Sequence, residues 1–246
     1  MTTIETNLQA VRQRIAAACA AAGRDAAQVQ LLAVSKTFPA AAVSDAIAAG
    51  QLQFGENYIQ EAVAKIGALP RTGVTWHCIG PVQSNKTRLV AEHFDWLQSL
   101  DRLKIAQRLS EQRPDTMAPL QVCIQVNTDG GPNKAGVSPD ELPALARAVA
   151  QLPRLRLRGL MTIPEPAPDF DAARAVHARA RQLFDSLNAE GMGLDTLSMG
   201  MSGDLEAAVH AGSTMVRIGT AVFGARAKPA QQDTRVAPTC GPRPSV

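Results

Sequence analysis

The run Val29-Gln30-Leu31-Leu32-Ala33-Val34-Ser35-Lys36 is short, nearly all apolar and ends on a lysine; a helical stretch, Ala40 to Ala49, follows, and then a second β-rich run, Gln53 to Gly55. A strand apolar on both faces belongs in a parallel sheet covered by helices. The same unit recurs along the chain. Further strands are predicted at Thr75 to Gly80, Asp95 to Ser99, Leu120 to Asn127, Leu155 to Thr162, Thr196 to Met199 and Met215 to Phe223. Helical segments alternate with them at Asn57 to Ile66, Lys86 to His93, Leu103 to Gln112, Pro139 to Gln151, Phe170 to Ala189 and Asp204 to Ala211. About eight strands is the number that closes a barrel, so the pattern predicts an α/β fold, a (β/α)8 TIM barrel. An open doubly wound sheet also alternates in this way, but no GxGxxG follows any strand, which removes its commonest dinucleotide-binding version. Ile4 to Ala22 repeat apolar positions at helical spacing and stop at Gly23, giving the barrel an extra N-terminal helix.

At 246 residues the chain suits one barrel domain, since such barrels run to about 250 residues. The domain is placed at residues 1–226. From Ala227 to Val246 the periodicity ends and Pro229, Pro238, Pro242 and Pro244 gather among polar residues, which predicts a disordered C-terminal tail. A net charge of +3 is too small to argue for nucleic acid. No window approaches the roughly 20 apolar residues of a membrane span, and Glu5, Arg12 and Arg14 break the pattern of a signal peptide, so the expected compartment is the cytoplasm. Cys19, Cys78, Cys123 and Cys240 form no CxxC pair and are read as reduced thiols, the first three in the core; no metal site is expected.

In a barrel the C-terminal ends of the strands face a common mouth. Lys36 ends the first strand there, where partial desolvation favours the neutral amine that attacks an aldehyde; it is a candidate Schiff-base lysine, or simply the start of a solvent-exposed loop. The loops after strands 7 and 8 are the usual phosphate site of this fold. They carry Ser198-Met199-Gly200-Met201-Ser202-Gly203-Asp204 and Val216-Arg217-Ile218-Gly219-Thr220, in which Ser202 and Thr220 offer hydroxyl donors and Asp204 reads as the cap of the next helix. Arg217, inside an apolar run, either points inward to a partner such as a pyridine nitrogen or points outward to a carboxylate such as Glu206. Asn57 either bonds a phenolic oxygen of a cofactor or caps a helix. His77 reads first as a satisfied core residue, Gln83 to Arg88 as a solvated helix start, and Lys134 as a surface lysine or a lid over the mouth.

Taken together, Ala33-Val34-Ser35-Lys36-Thr37, Phe54-Gly55-Glu56-Asn57-Tyr58, Trp76 to Lys86, Gly159 to Ile163, Ser198 to Ser202 and Gly212 to Thr220 resemble the pyridoxal phosphate homeostasis protein family. The resemblance is colinear from the leading helix to Arg226. It implies a fold like the barrel of alanine racemase, a vitamin B6 cofactor (pyridoxal 5′-phosphate) on Lys36, Arg217 against the pyridine nitrogen, and Ser202, Gly219 and Thr220 on the phosphate. Two features depart from the family's pattern: Phe38 stands where a second lysine commonly follows, and Gly130-Gly131-Pro132 make an unusual loop.

The function this implies is buffering, carrying or delivering the cofactor, with pyridoxal phosphate and the apoenzymes that require it as partners, no nucleic acid, no membrane, and a monomeric state. An arginine at the ring nitrogen weakens the ring as an electron sink, which suits binding better than catalysis, and no catalytic residue is assigned. The alternative is an amino-acid racemase. It needs a base on each face of the substrate, and Tyr58, the one tyrosine, follows the second strand and is poorly placed for that work. A third reading, an interaction protein without cofactor, leaves Lys36 and Arg217 as unexplained cations in the mouth.

Overall fold

The structure, a computed structural model, describes residues 3–70, 72–130 and 135–225. Eight parallel strands close on themselves in sequence order: β1 Gln30–Val34, β2 Gln53–Glu56, β3 Thr75–Cys78, β4 Trp96–Leu100, β5 Leu120–Gln125, β6 Leu155–Met161, β7 Thr196–Ser198 and β8 Met215–Ile218. Closure is made by β1 pairing β8, with Leu31 opposite Val216 and Leu32 opposite Arg217. The helices outside are α1 Ile4–Ala21, α2 Ala40–Ala48, α3 Ile59–Ala68, α4 Thr87–His93, α5 Leu103–Gln112, α6 Leu142–Ala150, α7 Phe170–Ala189, α8 Leu205–His210 and α9 Thr220–Phe223. The expected (β/α)8 barrel with its added N-terminal helix is the observed fold.

The main core lies between sheet and helices, where Phe54, Trp76, Phe94, Leu97, Leu109 and Ile124 are almost fully buried. A second, smaller cluster (Leu32, Val34, Ile79 and Met215) fills part of the barrel interior. Much of the remaining interior is polar. Helix α1 covers the seam where the barrel closes: Asn7 Nδ2 donates to the Val222 carbonyl at 3.0 Å, and Arg14 reaches α8. Cys19, Cys78 and Cys123 are free and buried, as expected of small core residues. No helix among the described residues is long and apolar enough to cross a membrane.

Two strand boundaries differ from expectation in a way that matters. β1 ends at Val34 and not at Lys36, because the chain turns at Ser35, whose carbonyl accepts from the Phe38 N–H at 3.1 Å around a left-handed Thr37 (φ 67°). The run from Met215 to Phe223 is a strand only to Ile218; Thr220–Phe223 wind into α9, whose Val222 packs into the outer core. An apolar run alone does not say whether its burial is strand-like or helical. The predicted tail, with Cys240, and Lys134 with Gly131 and Pro132 lie outside the described residues.

Candidate functional site

A cleft of about 320 Å³ opens at the C-terminal ends of the strands. It is lined by Lys36, Asn57, Ser202, Arg217, Gly219 and Thr220, so all six residues picked out in the sequence meet in one place, although they come from four different βα units. Val34, Phe38, Ile79, Ile163 and Met201 supply apolar walls. Phe38 is held by stacking on Phe223, with ring centroids 5.0 Å apart. A larger groove of about 1030 Å³ adjoins the cleft through Ile163, Met201 and Gly203, but it is dominated by apolar and acidic residues. The cations lie in the smaller cleft.

Arg217 points inward. It is only 4% exposed, and its guanidinium donates to Ser198 Oγ at 2.8 Å and to the Thr162 carbonyl at 2.7 Å. Burial pushes its pKa down to about 10, so it stays a cation at neutral pH. Both of these partners are neutral, and a buried guanidinium with spare donors favours an acceptor in the cleft. The outward alternative is excluded: Glu206 is held by Arg14, at 2.5 and 2.6 Å. Ser198 in turn donates to Gln98 Oε1 at 2.7 Å, and Gln98 Nε2 bonds His77 Nδ1 at 2.9 Å. A polar chain therefore runs from Arg217 down the barrel interior.

Beneath Lys36 lies a buried ion pair that sequence reasoning missed. Lys65 Nζ, from α3, donates to Glu56 Oε1 at 2.6 Å and to the Ser35 carbonyl at 2.9 Å, while Ser35 Oγ donates to the same carboxylate oxygen at 2.5 Å. Burial raises the pKa of Glu56, and the bonds from Lys65 and Ser35 oppose that rise. The pair clamps the residue before Lys36 to the residue before Asn57. Lys36 itself is half-buried. A signal for this was present: on α3 the buried positions are Ile59, Ala62, Lys65 and Ile66, so helical spacing places a lysine on the inward face, where a carboxylate must meet it.

The opposite wall is made of small residues. A side chain at Gly219 would crowd the Val34 carbonyl, its Cβ falling 3.2 Å from that oxygen. Arg14 Nη1 donates to the Ser202 carbonyl at 2.8 Å, so the N-terminal helix supports this loop. Asp204 stands at the start of α8 but its side chain does not cap the helix. Instead it accepts from the Met201 N–H at 2.6 Å and pairs with His177 Nε2 at 2.9 Å, closing the loop on itself. Burial would raise the pKa of Asp204, yet these two bonds and the nearby Arg217 together hold it below the ordinary range. The carboxylate is thus committed to the loop.

Asn57 is not a helix cap either: Tyr58 occupies that position, and Asn57 Oδ1 is buried without a hydrogen-bond partner, as is Thr162 Oγ1 beside Arg217. Asn57 lines the cleft, and an orphaned polar atom there calls for a partner that a ligand can supply. His77 is a core residue, stacked on Trp96 at 5.0 Å and pushed by burial to a pKa of about 3, and it does not line the cleft. Ser84–Lys86 form a short 3-10 turn ahead of α4, away from the cleft. Among the described residues no group of three His, Cys, Asp or Glu is placed to hold a metal ion.

Comparison with known proteins gives a consistent picture. The family model of the alanine racemase N-terminal domain matches residues 6–227. The pyridoxal phosphate homeostasis protein of Pseudomonas aeruginosa is 62% identical over 226 residues, covering 92% of this chain and 97% of that protein. The pyridoxal phosphate homeostasis protein of Escherichia coli K12 is 55% identical over 229 residues, covering 92% and 98%. Among solved structures, PipY of Synechococcus elongatus PCC7942 with PLP bound is 38% identical with a TM-score of 0.78, covering 90% of this chain and all of that one.

Proposed function

The chain belongs to the pyridoxal phosphate homeostasis proteins, a family built on the alanine racemase N-terminal domain, and from that membership we propose that its upper cleft holds pyridoxal 5′-phosphate on Lys36 for storage and delivery, not for turnover. The observation that carries this reading is the convergence of Lys36, Arg217 and the small-residue wall of Ser202, Gly219 and Thr220 on one cleft that also contains an unpartnered amide oxygen. The cofactor supplies an aldehyde that condenses with an amine and a pyridine ring able to withdraw electrons. The residues present fit both ends of it. Lys36 would carry it as a Schiff base, with its approach fixed by the Glu56 and Lys65 clamp. Asn57 would bond the phenolic oxygen, Arg217 the pyridine nitrogen, and Ser202, Gly219 and Thr220 the phosphate.

An arginine donating to the ring nitrogen keeps that nitrogen unprotonated, which limits carbanion chemistry and supports a binding role. Tyr58 is more than half exposed and does not line the cleft, which gives it no station as a second base. The reading takes residues 1–226 as a single domain acting as a monomer in the cytoplasm, with apoenzymes that need the cofactor as recipients. Three free, buried cysteines suit a reducing compartment.

The test is the visible absorption of the purified protein beside Lys36→Ala, followed by borohydride reduction, digestion and mass analysis. A violet-region band that vanishes in the variant and is fixed to the Lys36 peptide supports the site. Wild type that stays colourless after incubation with pyridoxal phosphate overturns it. Appreciable racemisation of alanine that disappears in Lys36→Ala would overturn the non-enzymatic half of the proposal.

A further inference from the structure

At the opposite end of the barrel, where the strands begin, lies a second cavity of about 630 Å³. Its wall holds three arginines, Arg24, Arg158 and Arg181, against one carboxylate, Asp195. Asp195 is taken: Arg158 grips it through Nε and Nη2, the latter at 2.7 Å, gives Nη1 to Gln121 Oε1 at 2.8 Å, and lays its guanidinium 4.8 Å from the Trp96 ring centre. Arg24 donates to a neutral atom, the Val209 carbonyl, at 2.7 Å, and Arg181 reaches Asp185 one turn along its own helix. Glycine at position 212 lets Arg181 lie across the chain there; a Cβ would come within 2.7 Å of its Nη1. Burial pushes the pKa of Arg24 down, and the charge of Arg181 adds a smaller push in the same direction against the opposing influence of Cys19.

Among the described residues Arg24 has a carbonyl partner and no carboxylate, and Arg181 gives only its Nε to Asp185, so two like charges facing one concave, polar wall keep N–H donors that a bound anion would satisfy. A low-dielectric recess concentrates that field instead of dispersing it. The remaining lining, which includes Gln30, Gln53, Thr75 and Thr214, offers amide and hydroxyl groups suited to oxygen-rich ligands. We propose that this lower cavity is a binding site for a small phosphate-bearing anion, free phosphate or a phosphate monoester, held by Arg24 and Arg181 and separate from the upper cleft.

The site carries its own reporter. Trp96 lines it, whereas the other tryptophan, Trp76, is buried to 1% exposure in the outer core. The experiment is titration of the full chain with inorganic phosphate, and separately with glycerol 1-phosphate, at constant ionic strength, following the two indole N–H signals by NMR. The Trp96 signal is expected to move and saturate with a dissociation constant on the order of millimolar, with the Trp76 signal unmoved. Arg181→Gln and Arg24→Gln should each weaken binding roughly tenfold, the loss of one charged hydrogen bond, while Lys36→Ala leaves it unchanged. Tighter binding of glycerol 1-phosphate assigns the site to monoesters, and equal or weaker binding assigns it to free phosphate. No saturable shift with either, or an undiminished one in Arg181→Gln, overturns the proposal. Because Arg181 is largely exposed, that variant keeps the fold and decides the matter even where Arg24→Gln does not.

Discussion

The upper mouth of the barrel holds one arginine and the lower mouth three, and the two treat them in opposite ways. At the upper mouth Arg217 is almost fully buried among neutral oxygens, the ion pair beneath Lys36 is sealed from solvent, and the chain beside Lys36 is strained. At the lower mouth Arg158 retains 24% exposure and its own carboxylate, Arg24 is half-buried, and Arg181 is exposed and paired with Asp185. A desolvated cation with neutral partners is a free-energy cost accepted in advance, and it makes sense only for a ligand of fixed shape. Half-exposed cations adapt to whatever anion arrives and bind it weakly and with strong salt dependence. The upper site is therefore expected to be selective and slow to exchange, and the lower one permissive.

The largest expected effect tests how far the upper mouth depends on its buried pair. Lys65→Met should cost about 3–5 kcal/mol by leaving Glu56 buried without its cation, with only the Ser35 hydroxyl to satisfy it. With a shift of roughly 2–4 °C for each kcal/mol in a domain of this size, thermal melting should fall by roughly 6–20 °C. Lys65→Met combined with Glu56→Leu should recover most of that loss, since an apolar pair replaces the ionic one, while cofactor retention stays impaired because Ser35 is no longer held. The matching cut at the lower mouth, Arg158→Gln, should cost about 1 kcal/mol at most, its pair being partly solvated. Equal losses at the two ends would break the contrast.

The same contrast explains what the sequence could and could not disclose. The number of strands and the leading helix were legible because apolar periodicity is a local pattern, and strand-end position singled out Lys36, Asn57, Ser202, Arg217 and Thr220, whereas Gly219 came with the family resemblance. Lys65 and Glu56 were not recognised, although helical spacing turned Lys65 inward, because a pair nine residues apart becomes a contact only when β2 and α3 are folded together. Asp204 was misjudged for a similar reason. At the head of α8 it has the position of a cap, but His177, arriving from α7, competes for the carboxylate and wins. The lower cavity left no trace in the sequence at all, since Arg24, Arg158 and Arg181 belong to three separate elements that only closure of the barrel brings together.

A smaller effect examines the polar chain that joins the two ends. His77 stacks on Trp96 from the lower cavity and bonds Gln98, which leads through Ser198 to Arg217. Burial holds its pKa at about 3, far below the ordinary 6.5, so the unfolded chain binds a proton that the folded one refuses throughout that interval. The stability His77 contributes is therefore complete above pH 6.5 and is lost as pH falls toward 3. Between pH 6.5 and 5 the loss should be about 2 kcal/mol, read from denaturant unfolding at a series of pH values. His77→Gln keeps a side chain able to bond Gln98 and removes the titration, so its stability should change less over the same window. A parallel decline in both proteins would assign the acid sensitivity elsewhere.

The smallest expected effect concerns backbone strain, which among the described residues occurs at one non-glycine residue at each end. Thr37 at the upper mouth has φ 67° and Arg154 at the lower mouth has φ 60°. A β-branched residue in the left-handed region costs roughly 1–2 kcal/mol, and glycine there removes that cost while losing about 0.5–1 kcal/mol through the freer unfolded chain. Thr37→Gly should thus raise stability by about 0.5–1 kcal/mol, and should also let the cofactor leave several-fold faster, because the tether of Lys36 to β1 has been loosened. Arg154→Gly should instead lower stability, since that side chain donates to the Ser110 carbonyl at 2.7 Å and to Asp115 at 2.9 Å, and its conformation is compensated by those bonds. Opposite signs in the two unfolding curves mean that strain is kept at the upper mouth for the sake of Lys36 and at the lower mouth for structure alone; the same sign in both removes that distinction.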